Sequence, residues 1–187
     1  MSTKKFRIAL LAALALAVPA VSLGTATGAQ AASAPSYSTW QHDVKKDIAP
    51  AIPWLENRVD EGGSKLAIVL DIDNTSLESY YHPGDPNVPV LKVAQWAEDH
   101  DMYVLVVTAR TDSSSAWQDM QDAGYPVDGV CTRHHGESTP DGKARCRKDF
   151  TEDGYTITAN IGNRDTDFEG GYFEKHFKLP DYGGILE

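Results

Sequence analysis

Basic residues are scarce in this sequence: 17 Lys and Arg stand against 27 Asp and Glu, for a formal net charge of -10. A surface of that sign repels phosphodiester backbones and anionic lipid headgroups, which argues against nucleic acid or an acidic membrane as a main partner. Long apolar runs are also missing. The longest, Ile8–Val18, has about eleven residues, short of the ~20 that a membrane-spanning helix needs. It follows Lys4, Lys5 and Arg7 and precedes Ala29-Gln30-Ala31, the small residues signal peptidase requires, so residues 1–31 read as a cleaved secretory signal. No cysteine lies near that cleavage region to carry a lipid anchor. Its three cations leave with it, so the mature charge becomes -13, and residues 32–187 suffice for one domain with a full core.

Cysteine is nearly absent, at positions 131 and 146 only. In an exported chain an even pair most simply forms a disulfide, here closing a loop of about fifteen residues worth ~3 kcal/mol in the chain-entropy model. The metal alternative joins Cys131, His134, His135 and Cys146, a spacing that resembles no zinc signature.

What is present is an alternation of apolar runs and amphipathic segments. Residues 37–60 space Trp40, Val44, Ile48, Trp54, Leu55 and Val59 at helical intervals around Pro50, predicting two short helices. The runs Leu66–Leu70, Met102–Val107, Val127–Cys131 and Thr156–Ile161 read as strands, the first two continuously apolar as in a sheet covered on both faces. Between them lie predicted helices at Val90–His100, after the capping pair Asp112-Ser113, and at Lys143–Glu152. Strands alternating with helices imply a three-layer α/β/α, Rossmann-like parallel sheet over residues 65–187. Ligands of such sheets bind beyond the carboxyl ends of the strands, where Asp71, Thr108 and Asn163 fall.

Asp71 and Asp73 end the first buried strand two positions apart, an electrostatic problem that an exposed turn or a bound cation must solve. A calcium-loop reading fails: counting from Asp71, the sixth position is Ser76 and the twelfth His82, where Gly and Glu belong. The stretch Asp165–Gly170 does place Gly sixth, but its twelfth residue is His176. A capped turn accounts for either aspartate alone, and poorly for the pair together with the other strand-end signals.

Asp71-Ile72-Asp73-Asn74-Thr75 resembles the first motif of haloacid dehalogenase superfamily phosphatases, Asp-x-Asp-x-Thr. Val107-Thr108-Ala109-Arg110 is similar to the second motif, Lys143 to the third, and Gly162-Asn163-Arg164-Asp165-Thr166-Asp167 to the fourth, in the order Gly-Asp-x-x-x-Asp. "LDIDNTSLES", "VVTAR", "KARCR" and "GYTITANIGNRDTDF" resemble more narrowly the secreted acid phosphatase branch, subfamily IIIB, which includes plant acid phosphatases and vegetative storage proteins.

The resemblance implies a secreted, Mg²⁺-dependent hydrolase of small phosphomonoesters. Asp71 would be the nucleophile that forms an aspartyl-phosphate, and Asp73 the acid and base that serves both half-reactions. Thr108, Ala109, Arg110 and Lys143 would bind the phosphoryl group, with Lys143 also offsetting its charge. Asp71, the Asp73 carbonyl, Asn163 and Asp167 would hold Mg²⁺ through hard oxygen ligands. Asn163 departs from the family's usual Asp, and a noncatalytic phosphate-binding or storage protein on the same fold is the alternative it keeps open. Arg110 and Arg147 are expected either to bind phosphate or to brace the site; Tyr80, Tyr81 and His82 to contact the leaving group or pack a loop. Trp40, Trp54, Trp96 and Trp117 are expected to pack helices.

Overall fold

The computed structural model describes residues 33–186, so the leader reading of residues 1–31 lies outside the described residues. Helices α1 (Tyr37–Ile48) and α2 (Ala51–Asp60) break at Pro50, as the spacing predicts, because proline lacks the N–H that would continue the ladder. They are followed by β1 (Leu66–Leu70), α3 (Val88–Asp99), β2 (Tyr103–Thr108), α4 (Ser113–Asp122), β3 (Gly129–Thr132), α5 (Thr139–Glu152), β4 (Thr156–Gly162) and β5 (Lys175–Lys178), with a single 3₁₀ turn at Asp165–Asp167.

The five strands form one sheet in the order β3-β2-β1-β4-β5, with every pairing parallel. The chain first runs outward from β1 to β2 and β3, then returns to place β4 on the other side of β1. Crossovers keep one hand, so the reversal moves the connecting helix to the opposite face. Along the strands, Ile68, Leu70, Val104, Val106 and Ile161 join a core with Trp40, Leu55, Val90, Val93 and Met120 from α1 to α4. The alternate residues Ala67, Val69, Leu105, Val107 and Ile157 join Cys146 of α5, with Phe150 of that helix packed against them. This is the expected three-layer α/β/α architecture, and its period-2 alternation is what lets β1 be buried at every position.

Two local readings need correction. Lys143 does not open its helix: α5 begins a turn earlier at Thr139, because the Ser138 side chain caps it by accepting from the Asp141 N–H and Pro140 fits its first turn. And β5 went unpredicted, since Lys175-His176-Phe177-Lys178 has a single buried apolar residue and takes its shape from pairing with β4.

Cys131 of β3 and Cys146 of α5 are joined in a disulfide, which removes the zinc alternative with His134 and His135. Trp40 is fully buried in the core, Trp54 donates its indole N–H to the Thr158 carbonyl, and Trp96 stacks on His100.

Candidate active site

In register, Leu70 at the end of β1 lies beside Val106 and Ile161, so β2 ends two residues and β4 one residue beyond it, at the same edge of the sheet. Asp71 emerges there and is almost fully buried; its N–H still pairs with the Ile161 carbonyl at 3.0 Å, and its own carbonyl accepts from the Ser76 hydroxyl at 2.7 Å. The main chain is thus fixed on both sides of the carboxylate. Asn74 makes the turn that follows in a left-handed conformation (φ 56°), one that asparagine tolerates better than most residues.

Asp71, Asp73, Asn74, Ser79, Tyr80, Ala109, Thr139, Lys143, Asn163, Arg164, Thr166 and Leu186 line a cavity of about 430 Å³ at this edge of the sheet. Lys143 is buried and donates from Nζ to Asp71 Oδ1 at 2.6 Å and to Asp167 Oδ1. Burial pushes the Lys143 ammonium down, yet the Asp71 and Asp167 carboxylates outweigh it, and its pKa lies above the usual value. Burial also raises Asp71, to about 6, against the opposing pull of Lys143. One ammonium thus binds two buried carboxylates directly, and the buried Arg147 charge also acts on Asp167.

Asp71 Oδ2 and Asn163 Oδ1 lie 3.2 and 3.3 Å from the Thr75 hydroxyl. That hydroxyl has one proton to give, so one of the two oxygens lacks it. An oxygen-only donor set that includes a carboxylate fits a hard divalent cation. Among the described residues no group of three or more His, Cys, Asp or Glu is placed for a metal; beside the Asp71 carboxylate, the Asn163 amide oxygen and the Asp73 carbonyl are the oxygens that could hold a cation here.

Asp167, expected as a cation ligand, lies against Lys143 and the turn after β4 in this structure. Its Oδ1 is taken by Lys143 and its Oδ2 accepts the Arg164 N–H at 2.8 Å, and it does not line the cavity. The reason is steric as well as electrostatic: a Cβ at Gly162 would collide with Asp167 Oδ2, so the glycine lets this carboxylate fold back on β4.

Asp73 is held by Arg110 in a bidentate pair, Nε to Oδ2 at 2.9 Å and an Nη to Oδ1 at 2.7 Å, with Ser79 donating to Oδ1 at 2.8 Å. Burial pushes this carboxyl up, but the Arg110 and Ser79 hydrogen bonds and the Arg110 charge together leave it below its ordinary value. Arg110 also donates to Asp119 of α4 at 2.7 Å. Thr108 is buried and accepts the Arg110 N–H at 3.2 Å, so the cavity wall at the end of β2 is Ala109.

Arg147 braces the site. Fully buried, it donates to the carbonyls of Asp167, Glu169 and Gly171, and burial lowers its pKa to about 10. Tyr80 lines the cavity, whereas Tyr81 stacks on Trp40 and His82 pairs with the buried Glu78 at 2.8 Å. Glu78 also accepts from Tyr37 and Gln41, which ties α1 to the loop after β1. Not singled out from the sequence were Asn74, Ser79, Thr139, Arg164, Thr166 and Leu186 of the cavity wall. Asn74 was visible inside the first motif, but Leu186 is more than a hundred residues away and carries no signal.

A family model described as "HAD superfamily, subfamily IIIB (Acid phosphatase)" matches residues 83–185, more than half the chain. The chain belongs to this acid phosphatase family. Like its family it is a phosphoric monoester hydrolase acting on small phosphomonoesters, and phosphatases of this superfamily work with a divalent metal. The matched residues start after the Asp71–Thr75 loop. No curated protein sequence matches the chain significantly. Among solved structures, the class C acid phosphatase from Bacillus anthracis superposes with a TM-score of 0.62 at 14% identity, covering 80% of this chain and 83% of that one. A chain of the Pnkp1/Rnl/Hen1 complex superposes with a TM-score of 0.51 at 14% identity, over 62% of this chain and 45% of its own length. At that identity both likenesses concern the fold.

Proposed function

We propose that this acid phosphatase is exported and magnesium-dependent, and that it hydrolyses small phosphomonoesters through an aspartyl-phosphate on Asp71. The observation that carries the reading is Asp71 itself: a buried carboxylate at a strand tip, fixed through its main chain, with one oxygen on Lys143 and the cavity in front of it. Such a group is positioned for attack on phosphorus without further ordering, which is where enzymes gain most of their advantage from proximity.

Asp71, Asn163 and the Asp73 carbonyl are the residues that would hold Mg²⁺. The ion supplies the positive charge that keeps Asp71 ionised and offsets the phosphoryl oxygens. Lys143 adds a second positive charge beside the nucleophile, and Asp167 acts through Lys143 by holding it in place. Thr139 and Ala109 shape the wall around the phosphoryl group. Asp73 in its pairing with Arg110 is an ionised base, suited to taking a proton from the water that hydrolyses the intermediate; to protonate the leaving oxygen first, it must release part of that pair.

Export is supported by the leader-like pattern of residues 1–31 and by the disulfide, since disulfides persist in oxidising compartments. No helix of the described residues is long and apolar enough to cross a membrane. The domain reading, residues 32–187 as one phosphatase domain after a leader, belongs to the same proposal.

A second reading, a phosphate-binding or storage protein without catalysis, is favoured by one observation: Asn163 offers a neutral oxygen where the family has a carboxylate. Hydrolysis of p-nitrophenyl phosphate with and without Mg²⁺ separates the two. The wild type should turn over in a Mg²⁺-dependent way, and Asp71→Asn should fall below about a thousandth of it, as removal of a nucleophile does. Equal slow rates in both would leave the binding role.

A further inference from the structure

The segment after β5 returns to the active site and is tied down along its length. Tyr182 donates its hydroxyl to Asp43 of α1 at 2.7 Å. The Gly183 N–H reaches Asp181 Oδ1 at 3.1 Å and the Gly184 N–H reaches the Asp181 carbonyl at 3.0 Å. Tyr182, Gly183 and Gly184 all have positive φ, at 51°, 71° and 86°, a path that few residues other than glycine follow without a local tether. Gly184 lies against the Arg164 guanidinium, which a Cβ there would meet at 3.5 Å. Leu186 is then buried to 2% exposure, lines the catalytic cavity, and gives its carbonyl to the Asn74 side-chain amide.

Asn74 makes a second bond that gives this arrangement its meaning. Its Oδ1 accepts the Tyr80 N–H at 2.8 Å, so one side chain, set between Asp73 and Thr75, fastens both the loop bearing Tyr80 and the segment bearing Leu186. The floor of the cavity is polar, made by Asp71, Lys143 and Asn163. Tyr80, 43% exposed, is the large carbon surface in that lining, while Leu186 reaches the cavity from the main core with only a small part of its surface. Only fourteen residues, 74–87, separate Asp73 from α3, too few for a separate lid domain.

We infer that Asp181–Leu186 is a fixed rim of the active site which limits the bulk of the leaving group, with Leu186 as the specificity-determining residue. The inference rests on the phosphatase reading of the cavity. A cavity of about 430 Å³ lies in the lower part of the range of small-molecule sites, so a change of a few methylenes at its edge alters what it admits.

The test compares kcat/KM for phenyl phosphate and 1-naphthyl phosphate, which share an aryl leaving group and differ in size. Leu186→Ala should raise the naphthyl-to-phenyl ratio about tenfold, the low end of what one or two methylenes are worth in a fitted pocket. Tyr182→Phe, which loosens the segment without touching the core leucine, should raise it in the same direction by a smaller factor; it decides the matter if Leu186→Ala does not fold, as judged by its melting temperature. A ratio within about twofold of wild type in the folded variants overturns the rim. If the wild type hydrolyses neither ester, the phosphatase reading fails and the rim with it; if it hydrolyses both and the ratio is unmoved, the rim alone fails.

Discussion

Lys143 and Asp167 are bound to each other beneath the active site, the carboxylate turned back from the cavity onto the ammonium that also holds Asp71. Each is almost fully buried, and the Asp167 carboxylate has its remaining oxygen on the Arg164 N–H. The pair sets the height at which Lys143 meets Asp71, and it depends on the missing Cβ of Gly162 for its space.

Removing Lys143 should be costly to the fold as well as to activity. Lys143→Met leaves Asp71 and Asp167 buried together without their shared cation, and breaking a buried pair from one side costs about 3–5 kcal/mol. Urea denaturation at pH 7 should show that loss, and Mg²⁺ should restore part of it. A variant as stable as the wild type would mean that the two carboxylates are neutralised elsewhere.

Asn163→Asp should tighten Mg²⁺. The new carboxylate would lie beside Thr75 and near Asp71, where like charges repel, so the metal-free variant should melt below the wild type and the Mg²⁺-loaded one should recover. Calorimetric titration reads the affinity directly. Unchanged or weaker binding would remove Asn163 from the ligand set.

Arg110→Met should show how far Asp73 is governed by its partner. Asp73 titrates below the ordinary carboxylate value in the folded protein, so the pair's contribution is fully present above the unfolded pKa and is lost as pH falls through the folded one. Both side chains are partly solvated, which limits the effect to about 1 kcal/mol or less. The stability difference between wild type and variant should be seen near pH 7 and shrink toward acid pH; a difference independent of pH would assign it to lost packing instead.

Cys131→Ala/Cys146→Ala should lower stability by about 3 kcal/mol, the chain-entropy value for a fifteen-residue separation. Thermal melts of the oxidised wild type, the reduced wild type and the double variant should place the last two together. Because Cys146 shares α5 with Lys143 and Arg147, the double variant should also bind Mg²⁺ less uniformly on heating, as the helix loosens from β3.

The strands that build the floor were legible because they are buried on both faces and leave an uninterrupted apolar signature, as in Leu66–Leu70. The strand-end polar residues were legible for a related reason: a charge directly after such a run needs an explanation. Helix starts were less so, since the Ser138 cap and Pro140 extended α5 a turn beyond its apolar pattern. The edge strand β5 was not legible at all, because three of its four residues are not buried and its conformation comes from its neighbour β4.

Four of the five strands, the strand-end positions of Asp71, Thr108 and Asn163, and the expectation of a cysteine pair follow from the sequence alone, because each depends on local pattern or on chemistry that admits few partners. Only the tertiary structure decided what those residues touch: that Asp167 turns away to Lys143, that Arg110 takes Asp73 and Arg147 takes main-chain carbonyls, and that Leu186 comes back to the cavity through Asn74. Those outcomes are set by which groups share a small buried volume, where every charge must find a partner, and no spacing along the chain encodes that competition.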